Sequence, residues 1–199
     1  MGEEDRPDGS AVVWMDGEMV LHDDAVAVLE GWRPEDAERG GLRAEFLDHL
    51  AAHDDGLDRA CMPGHVTASA AVLAADGASV LLTLHGKLGR WLQTGGHCEP
   101  GDTTLAGAAL REATEESGID GLRLLPGPVT LDRHWVGCNG GAWHYDAQYV
   151  AVAPPDAEAS ISAESLDLRW FPVGALPDPT DDSVRRLVAL SVSRLDGAR

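Results

Sequence analysis

The sequence predicts an α/β (α+β) protein in which helices enclose a central mixed β-sheet. Strand-like runs lie both before and after one proline-free helical segment at residues 103–117, and an amphipathic segment closes the chain at residues 181–195. The 199 residues have 44% hydrophobic content, which is enough for a core of normal size. We therefore expect one globular domain over residues 61–199, preceded by an extension over residues 1–60.

The extension is predicted to contain a short hairpin followed by two helices. Asp16-Gly17 separates two apolar triplets within residues 11–21, a pattern typical of a hairpin. Residues 23–32 and 34–53 have helical patterns, and Pro34 occupies a first-turn position. We interpret these helices as a cover for the sheet or for a partner subunit, so that a homodimer remains one option.

The strands of the domain are indicated by runs rich in valine, leucine, threonine and alanine, bounded by glycine, proline and aspartate. Asp76-Gly77 lies between the first two runs and predicts a hairpin turn. Residues 153–162 are predicted to form a loop. The predicted strands are residues 66–75, 79–85, 91–94, 122–125, 129–136, 143–152 and 165–173.

The helix at residues 103–117 is the segment around which the chain is organised. It follows a glycine-rich loop, and Gly118 stands where a left-handed C-terminal stop is expected. At about 100° per residue, a stripe of small residues able to lie close against a sheet falls on one arc. This stripe consists of Ala106, Leu110, Ala113 and Ser117.

Three carboxylates, Glu112, Glu115 and Glu116, share another arc of this helix. They repel one another at these spacings, so an ordinary surface helix would gain from a lysine among them. The cluster therefore predicts a cation site. Ligand sets made only of oxygen suit Mg²⁺ or Mn²⁺, which retain waters and accept substrate phosphates as further ligands. The alternative is a solvated acidic face in a very acidic protein.

The stretch from Gly96 to Ile119 resembles the signature of the Nudix hydrolases, the MutT-like family. That signature has a glycine, five residues, an acid, a spacer, and then Arg-Glu-x-x-Glu-Glu-x-Gly with an aliphatic residue. Its positions here are Gly96, Asp102, Arg111, Glu112, Glu115, Glu116, Gly118 and Ile119.

Two positions depart from the common family pattern. The acid after the loop is Asp102 where glutamate is usual, and eight residues separate it from Arg111 where seven are usual. Both departures also occur in the coenzyme A-cleaving branch of the family. The helical half of the signature matches without a gap.

The resemblance implies a Nudix-type α/β/α sandwich and a magnesium-dependent pyrophosphohydrolase, in which water attacks phosphorus in a nucleoside diphosphate linked to another group. By the same resemblance, Glu112, Glu115 and Glu116 hold the metal together with the Gly95 carbonyl, and Glu115 and Glu116 are catalytic. Arg111 and Asp102 would form an ion pair that orients the helix against the loop. From the residues alone, Arg111 could instead pair with Glu115 one turn away.

Other site assignments stay open. The general base is either a helix glutamate or Glu164, which otherwise is an exposed loop acid. Glu99 is either a further metal ligand or a loop-closing acceptor. The expected substrate contacts are Lys87, Arg90, Gly96 and His97. His134 and His144 are further candidates for phosphate or base contacts, although single histidines are more often structural.

Two other functions share this kind of fold. One is a nucleotide-binding regulator without turnover, which would be expected to show a broken Arg-Glu-x-x-Glu-Glu motif. The other is a diphosphate isomerase of the isopentenyl type, which depends on a cysteine in a motif that is not present around Cys98. The intact motif favours hydrolysis.

Charge and cysteine content limit the partners of the chain. The formal net charge of -19 argues against binding to nucleic acid or to an anionic membrane, which rests on lysine and arginine. The expected partner is a small nucleotide derivative. The three cysteines have no pairing or metal-type spacing, which predicts a reducing cytoplasmic location.

Overall fold

A computed structural model describes residues 17–34, 36–137, 141–162 and 165–199. Its helices are α1 (Gly17–Gly31), α2 (Ala37–Ala52), α3 (Leu105–Ser117) and α4 (Asp182–Asp196). Its strands are β1 (Gly64–Leu73), β2 (Ser79–His85), β3 (Trp91–Leu92), β4 (Thr94–His97), β5 (Arg123–Leu124), β6 (Thr130–Val136), β7 (Ala142–Val152) and β8 (Ser165–Pro172).

The sheet is built around β1, whose residues are all buried. Strand β7 pairs in parallel with the full length of β1, and β2 and β4 pair with the other edge of β1 in antiparallel fashion. Strands β3 and β8 extend the sheet from β2, while β5 and β6 extend it from β7. One parallel contact among antiparallel ones makes the sheet mixed, as predicted.

Helices cover both faces of this sheet. Side chains of α1, α2 and α3 share one apolar cluster with Val66, Ala68 and Tyr149. Side chains of α4 form a second apolar cluster on the opposite face. This cluster includes Ala71 and Leu73 of β1 and apolar residues of β2 and β7. Because side chains alternate along a strand, β1 supplies both clusters. The predicted α/β/α sandwich is confirmed.

Helix α3 lies close against the sheet because its inward face is small. Ala108, Ala109 and Ala113 are fully buried, and Ser117 is buried as well. Of the predicted stripe, Ala106 and Leu110 are only partly buried, since the arc facing the sheet is shifted toward Leu105 and Ala109. The helix begins at Leu105, two residues after the predicted start, because the side chain of Thr104 caps its first turn. Gly118 ends the helix with φ 63°, as predicted.

The predicted hairpin in the extension is wrong where the structure describes it. Residues 19–21 lie within α1, while residues 11–16 lie outside the described residues. Leu21, Ala25 and Leu29 recur every fourth residue and are all buried, so the helical period outweighs the local turn signal. Helix α2 begins at Ala37, after the predicted first-turn Pro34, because the Asp36 side chain accepts the Arg39 N–H and caps the helix.

The extension packs on the same chain's sheet and on α3. The Phe46 ring meets Tyr145 of β7 edge-on, with 5.2 Å between ring centroids. The Asp24 Oδ2 atom accepts a hydrogen bond of 2.8 Å from the Leu105 backbone N–H at the start of α3. In the described ranges, none of the helices has both the length and the apolar content needed to cross a membrane.

We predict that Phe46→Ala lowers the free energy of unfolding by about 3–5 kcal/mol, because the ring is fully buried between α2 and the sheet. Denaturant unfolding followed by tryptophan fluorescence measures this, with the half-exposed Val20→Ala on α1 as the control. If α1 and α2 formed a separate unit, the variant would leave the main unfolding transition where it is in the parent.

Candidate functional site

The candidate site lies where β4 runs into the loop that leads to α3. Gly95 and Gly96 pair with Ser69 and Ala68 of β1, so the strand passes directly beneath the helix. A methyl group on Gly95 would overlap the side chain of Ser69, and one on Gly96 would lie 2.6 Å from Glu112 Oε1. The two glycines are therefore required by the close approach of β1 on one side and α3 on the other.

Arg111 joins this loop to the helix. Its Nε donates to Asp102 Oδ1 at 3.1 Å, and its Nη2 donates to Asp102 Oδ2 at 2.9 Å. The same Nη2 donates to the carbonyl of His97 at 3.0 Å. The structure thus contains the ion pair that the resemblance implied, in the two-point geometry that an arginine forms with a carboxylate.

Arg111 also contacts the glutamates of its own helix. Its Nη1 donates to Glu112 Oε1 at 3.0 Å and to Glu115 Oε2 at 3.2 Å, and Glu99 lies 3.9 Å away. The two interpretations of Arg111 from sequence are therefore not exclusive. The pKa of the guanidinium is raised, and its hydrogen bond with Asp102 is the largest cause.

Asp102 is held as a carboxylate. Burial alone would raise its pKa, but hydrogen bonds from Arg111 and from the Glu99 N–H outweigh burial and lower it. The Glu99 N–H donates to Asp102 Oδ2 at 2.8 Å, which closes the loop, while the Glu99 side chain is mostly exposed. Glu99 therefore closes the loop through its backbone.

The three glutamates differ in environment. The Glu112 side chain is 15% exposed, and its burial raises its pKa despite the neighbouring Arg111. Glu115 is 59% exposed, and Glu116 Oε2 accepts the Gly95 N–H at 3.2 Å. Among the described residues, the groups of side chains whose ligand atoms all lie within 4.8 Å of one another do not include these glutamates.

The donor set nevertheless fits a hard divalent ion. It consists of carboxylate oxygens, the ligands that Mg²⁺ prefers. One of them, Glu112, is buried against Gly96 with an incompletely compensated negative charge, as its raised pKa indicates. A cation at this position would lower the cost of that burial.

The remaining predicted contacts are spread around the site. Lys87 and Arg90 are exposed in the turn between β2 and β3, and their side chains make no ion pair with any described residue. The His97 carbonyl contacts Arg111, whereas its ring lies beside those of His65 and His144. Glu164 lies outside the described residues, so its role as base stays a prediction.

A group of polar side chains on the α4 side of the sheet was not predicted from the sequence. His65 and Asp146 belong to it and were not singled out, although His97, His134 and His144 were considered one by one. Asp146 is fully buried and accepts hydrogen bonds from Ser69 Oγ at 2.7 Å and Gln148 Nε2 at 2.9 Å. The available signal was polar alternation along two strands: His65, Thr67 and Ser69 in β1, and His144, Asp146 and Gln148 in β7.

Burial sets the protonation of most of these groups. It lowers the pKa of His97 to about 4 and that of His144 to about 3, so both rings are neutral near neutral pH. Burial also lowers the pKa of His65 and raises that of Asp146. His134 differs, because its hydrogen bond with Asp132 raises its pKa.

Comparison with known proteins identifies related sequences and folds. A family profile described as "NUDIX domain" matches residues 63–190, well over half of the chain. No curated protein sequence shows significant similarity to the chain.

The fold is similar to several solved structures. The Ap4A hydrolase of C. elegans, in a binary complex, is 19% identical with a TM-score of 0.55, over 66% of this chain and 98% of that one. A NUDIX family hydrolase from Clostridium perfringens is 25% identical with a TM-score of 0.54, over 68% and 98%. The dihydroneopterin triphosphate pyrophosphohydrolase of E. coli is 21% identical with a TM-score of 0.54, over 65% and 95%.

We predict that Gly96→Ala destabilises the protein by about 1–3 kcal/mol, because the added methyl group would force Glu112 or the whole helix away from β4. The measurement is denaturant unfolding, with Gly174→Ala as a control at a position where a methyl group meets no atom within 4 Å. Equal stability of the two variants would contradict the close approach of α3 to β4.

We predict a pH-dependent cost for Asp102→Asn. The pKa of Asp102 is lowered in the folded protein, so its stabilisation is fully present above the unfolded value near 3.9 and is lost as the pH falls through the folded value. The variant should therefore be less stable than the parent by about 2 kcal/mol at pH 6, and by less at pH 3.

Melting temperatures across this pH range measure the difference between variant and parent. Asp178→Asn is the matched control, because Asp178 pairs with Arg185 on the surface and its side chain is 87% exposed. A gap between Asp102→Asn and the parent that is the same at both pH values would show that the carboxylate charge is not what holds Arg111.

Proposed function

The chain belongs to the Nudix family of hydrolases, which act on phosphoric anhydride bonds, and we propose that it hydrolyses a nucleoside diphosphate linked to a second group. One observation carries this proposal. Arg111 fastens the glycine loop to α3, so that Glu112 and Glu116 lie directly over Gly96 and Gly95. A row of acids fixed above a partly buried strand end is suited to a diphosphate that arrives with divalent metal.

The proposed cofactor is Mg²⁺, with Mn²⁺ as the alternative. Glu112, Glu115 and Glu116 would hold it together with the Gly95 carbonyl. When bound, the ion would neutralise charge on the phosphate oxygens and lower the pKa of the attacking water. The buried, incompletely compensated charge of Glu112 supports this assignment.

The chain's own residues have two further roles in catalysis in this proposal, positioning and proton transfer. Arg111 and Asp102 are positioning residues, because they fix the helix relative to the loop by two-point hydrogen bonding. The proton of the attacking water passes to a carboxylate, either Glu115 or Glu116 on α3 or Glu164 ahead of β8. A loss of turnover in Glu164→Gln with unchanged metal affinity would select Glu164.

Substrate contacts are proposed for the loop and for the turn beside it. Lys87 and Arg90 are exposed cations without an ion pair to any described residue, which supports a role in binding phosphate. Gly96 would admit the substrate close to the backbone, and His97 borders the site through its carbonyl, which accepts from Arg111. Similar folds handle substrates as different as Ap4A and dihydroneopterin triphosphate, so the fold leaves the second group of the substrate open.

The isomerase alternative is poorly supported by the cysteine in the loop. Cys98 is buried, and burial raises the pKa of its thiol to about 12, so it is protonated near neutral pH. A protonated, buried thiol is a weak acid and a weak nucleophile. We also propose a reducing cytoplasmic location, which the free and buried state of Cys61 and Cys98 supports.

A substrate panel tests the function. Nucleoside triphosphates, dinucleotides, nucleotide sugars and coenzyme A are each incubated with Mg²⁺, and the phosphate-containing products are separated and measured. Turnover that EDTA stops and Mg²⁺ restores would support the proposal. Tight binding of one panel member without turnover in any metal would favour the regulator instead.

We predict that Glu115→Gln and Glu116→Gln each reduce turnover by more than about 100-fold. Losing even an outer partner of a metal ligand typically costs 10–100-fold, so a lost ligand should cost at least as much. Glu158→Gln, in the exposed loop before β8, is the matched control. All three variants should keep the parent's melting temperature within a few degrees, and parental turnover in either helix variant would overturn the metal assignment.

A further inference from the structure

Histidines form a row across four neighbouring strands, on the sheet face opposite α3. His65 of β1 is in register with His144 of β7, and His144 is in register with His134 of β6. On the other edge of β1, His97 of β4 is in register with Thr67. Residues opposite one another in a sheet share a face, and His65 and Thr67 are two apart on one strand, so all four imidazoles lie on one face.

Three of these rings converge. The ring centroids of His65 and His144 are 4.7 Å apart, those of His65 and His97 are 4.9 Å apart, and those of His97 and His144 are 5.1 Å apart. One ring nitrogen of each residue lies within 4.8 Å of those of the other two. The fourth ring, that of His134, is instead hydrogen-bonded to Asp132 at 2.9 Å.

The ring of His65 is poorly hydrogen-bonded within the part of the chain that the structure describes. It is only 3% exposed, and neither of its ring nitrogens makes a hydrogen bond of normal geometry among the described residues. Burial lowers the pKa of this ring, and the Cys61 backbone, close to the ring, acts in the opposite direction with a smaller effect. Buried polar atoms are nearly always paired, and an unpaired one costs about 1–3 kcal/mol.

We infer that His65, His97 and His144 form a binding site for a borderline divalent transition-metal ion, represented by Zn²⁺. Neutral imidazole nitrogens are the ligands that such ions prefer over Mg²⁺. Three histidines and an open fourth position form a known type of zinc site. Coordination would also give the buried His65 the partner that it lacks.

The geometry requires only a small adjustment. Zinc-to-nitrogen bonds of 2.0–2.1 Å in a tetrahedral site place the nitrogens about 3.4 Å apart. Since the nitrogens already lie within 4.8 Å of one another, the rings must approach by no more than about 1.4 Å. His97 and His144 are partly exposed, which leaves space for their rings to rotate, whereas His65 is buried near the start of the central strand. The fourth position would then be open to water.

This site differs from the carboxylate site on α3 in position and in chemistry. The His97 carbonyl accepts from Arg111 on the α3 side, but its ring lies with His65 and His144 on the other face. The α3 site offers oxygen ligands, and the histidine row offers nitrogen ligands. A hard and a borderline ion can therefore be distinguished by competition.

The test is direct metal binding to the full chain in excess Mg²⁺, which keeps the oxygen ligands occupied. Zn²⁺ is titrated by calorimetry, and Co²⁺ is titrated while its visible absorption is recorded. We expect one equivalent per chain, and at least about 100-fold weaker binding in His97→Gln and in His144→Gln. Unchanged affinity in both variants would overturn the site.

Two controls separate this site from its neighbours. His53, Asp55 and Cys61 form another group whose ligand atoms lie within 4.8 Å of one another. Binding there would be lost in His53→Gln and would add an intense near-ultraviolet thiolate band to the Co²⁺ spectrum. Such a band, or loss of binding in His53→Gln alone, would assign the ion to that group and overturn the proposal.

Folding is checked separately for each variant. His97→Gln and His144→Gln should retain the parent's circular dichroism without metal, and the parent alone should gain several degrees in melting temperature with Zn²⁺. A parent that neither binds Zn²⁺ nor gains thermal stability from it would show that the three rings meet only through packing.

Discussion

The hydrogen bonds of Arg111 are the constraint on which the site depends. One guanidinium binds the Asp102 carboxylate, the His97 carbonyl and two glutamates of its own helix. Lysine could not replace it, because an ammonium group lacks the planar fork that reaches a carboxylate at two points and a carbonyl as well. The rest of the local structure follows from this attachment: glycines where helix and strand touch, and alanines where the helix lies on the sheet.

The parts predicted from sequence are those whose determinants are local. Helix α3 and its stop at Gly118 are encoded within a short run of consecutive residues, and the Asp76-Gly77 turn is encoded in two. The cap at Thr104 was not predicted, because that residue was placed inside the helix. The start of α1 was mistaken for a hairpin because Asp16-Gly17 is a strong local turn signal. The burial of Leu21, Ala25 and Leu29 against distant residues decided the outcome.

The histidine row and the buried Asp146 depend on contacts that sequence spacing does not reveal. Thr67 Oγ1 donates to Asp146 Oδ1 across 79 residues of chain, and this pairing exists only because β7 lies parallel to β1. Polar residues at alternate positions of each strand were visible, but their common face depends on strand order and register. The roles of Glu164, Lys87 and Arg90 remain predictions, since they concern a bound substrate and a residue, Glu164, that lies outside the described residues.

The hydrogen bond from Leu105 to Asp24 has a consequence for dissecting the protein. The family match begins at residue 63, so a natural place to cut would be just before it. A fragment made that way would lose the acceptor for the first turn of α3, and Val66, Ala68 and Tyr145 would lose the helices that cover them. The shorter chain would then expose an apolar surface beside its acidic helix. Self-association of this fragment in solution would result from the truncation rather than from a native assembly.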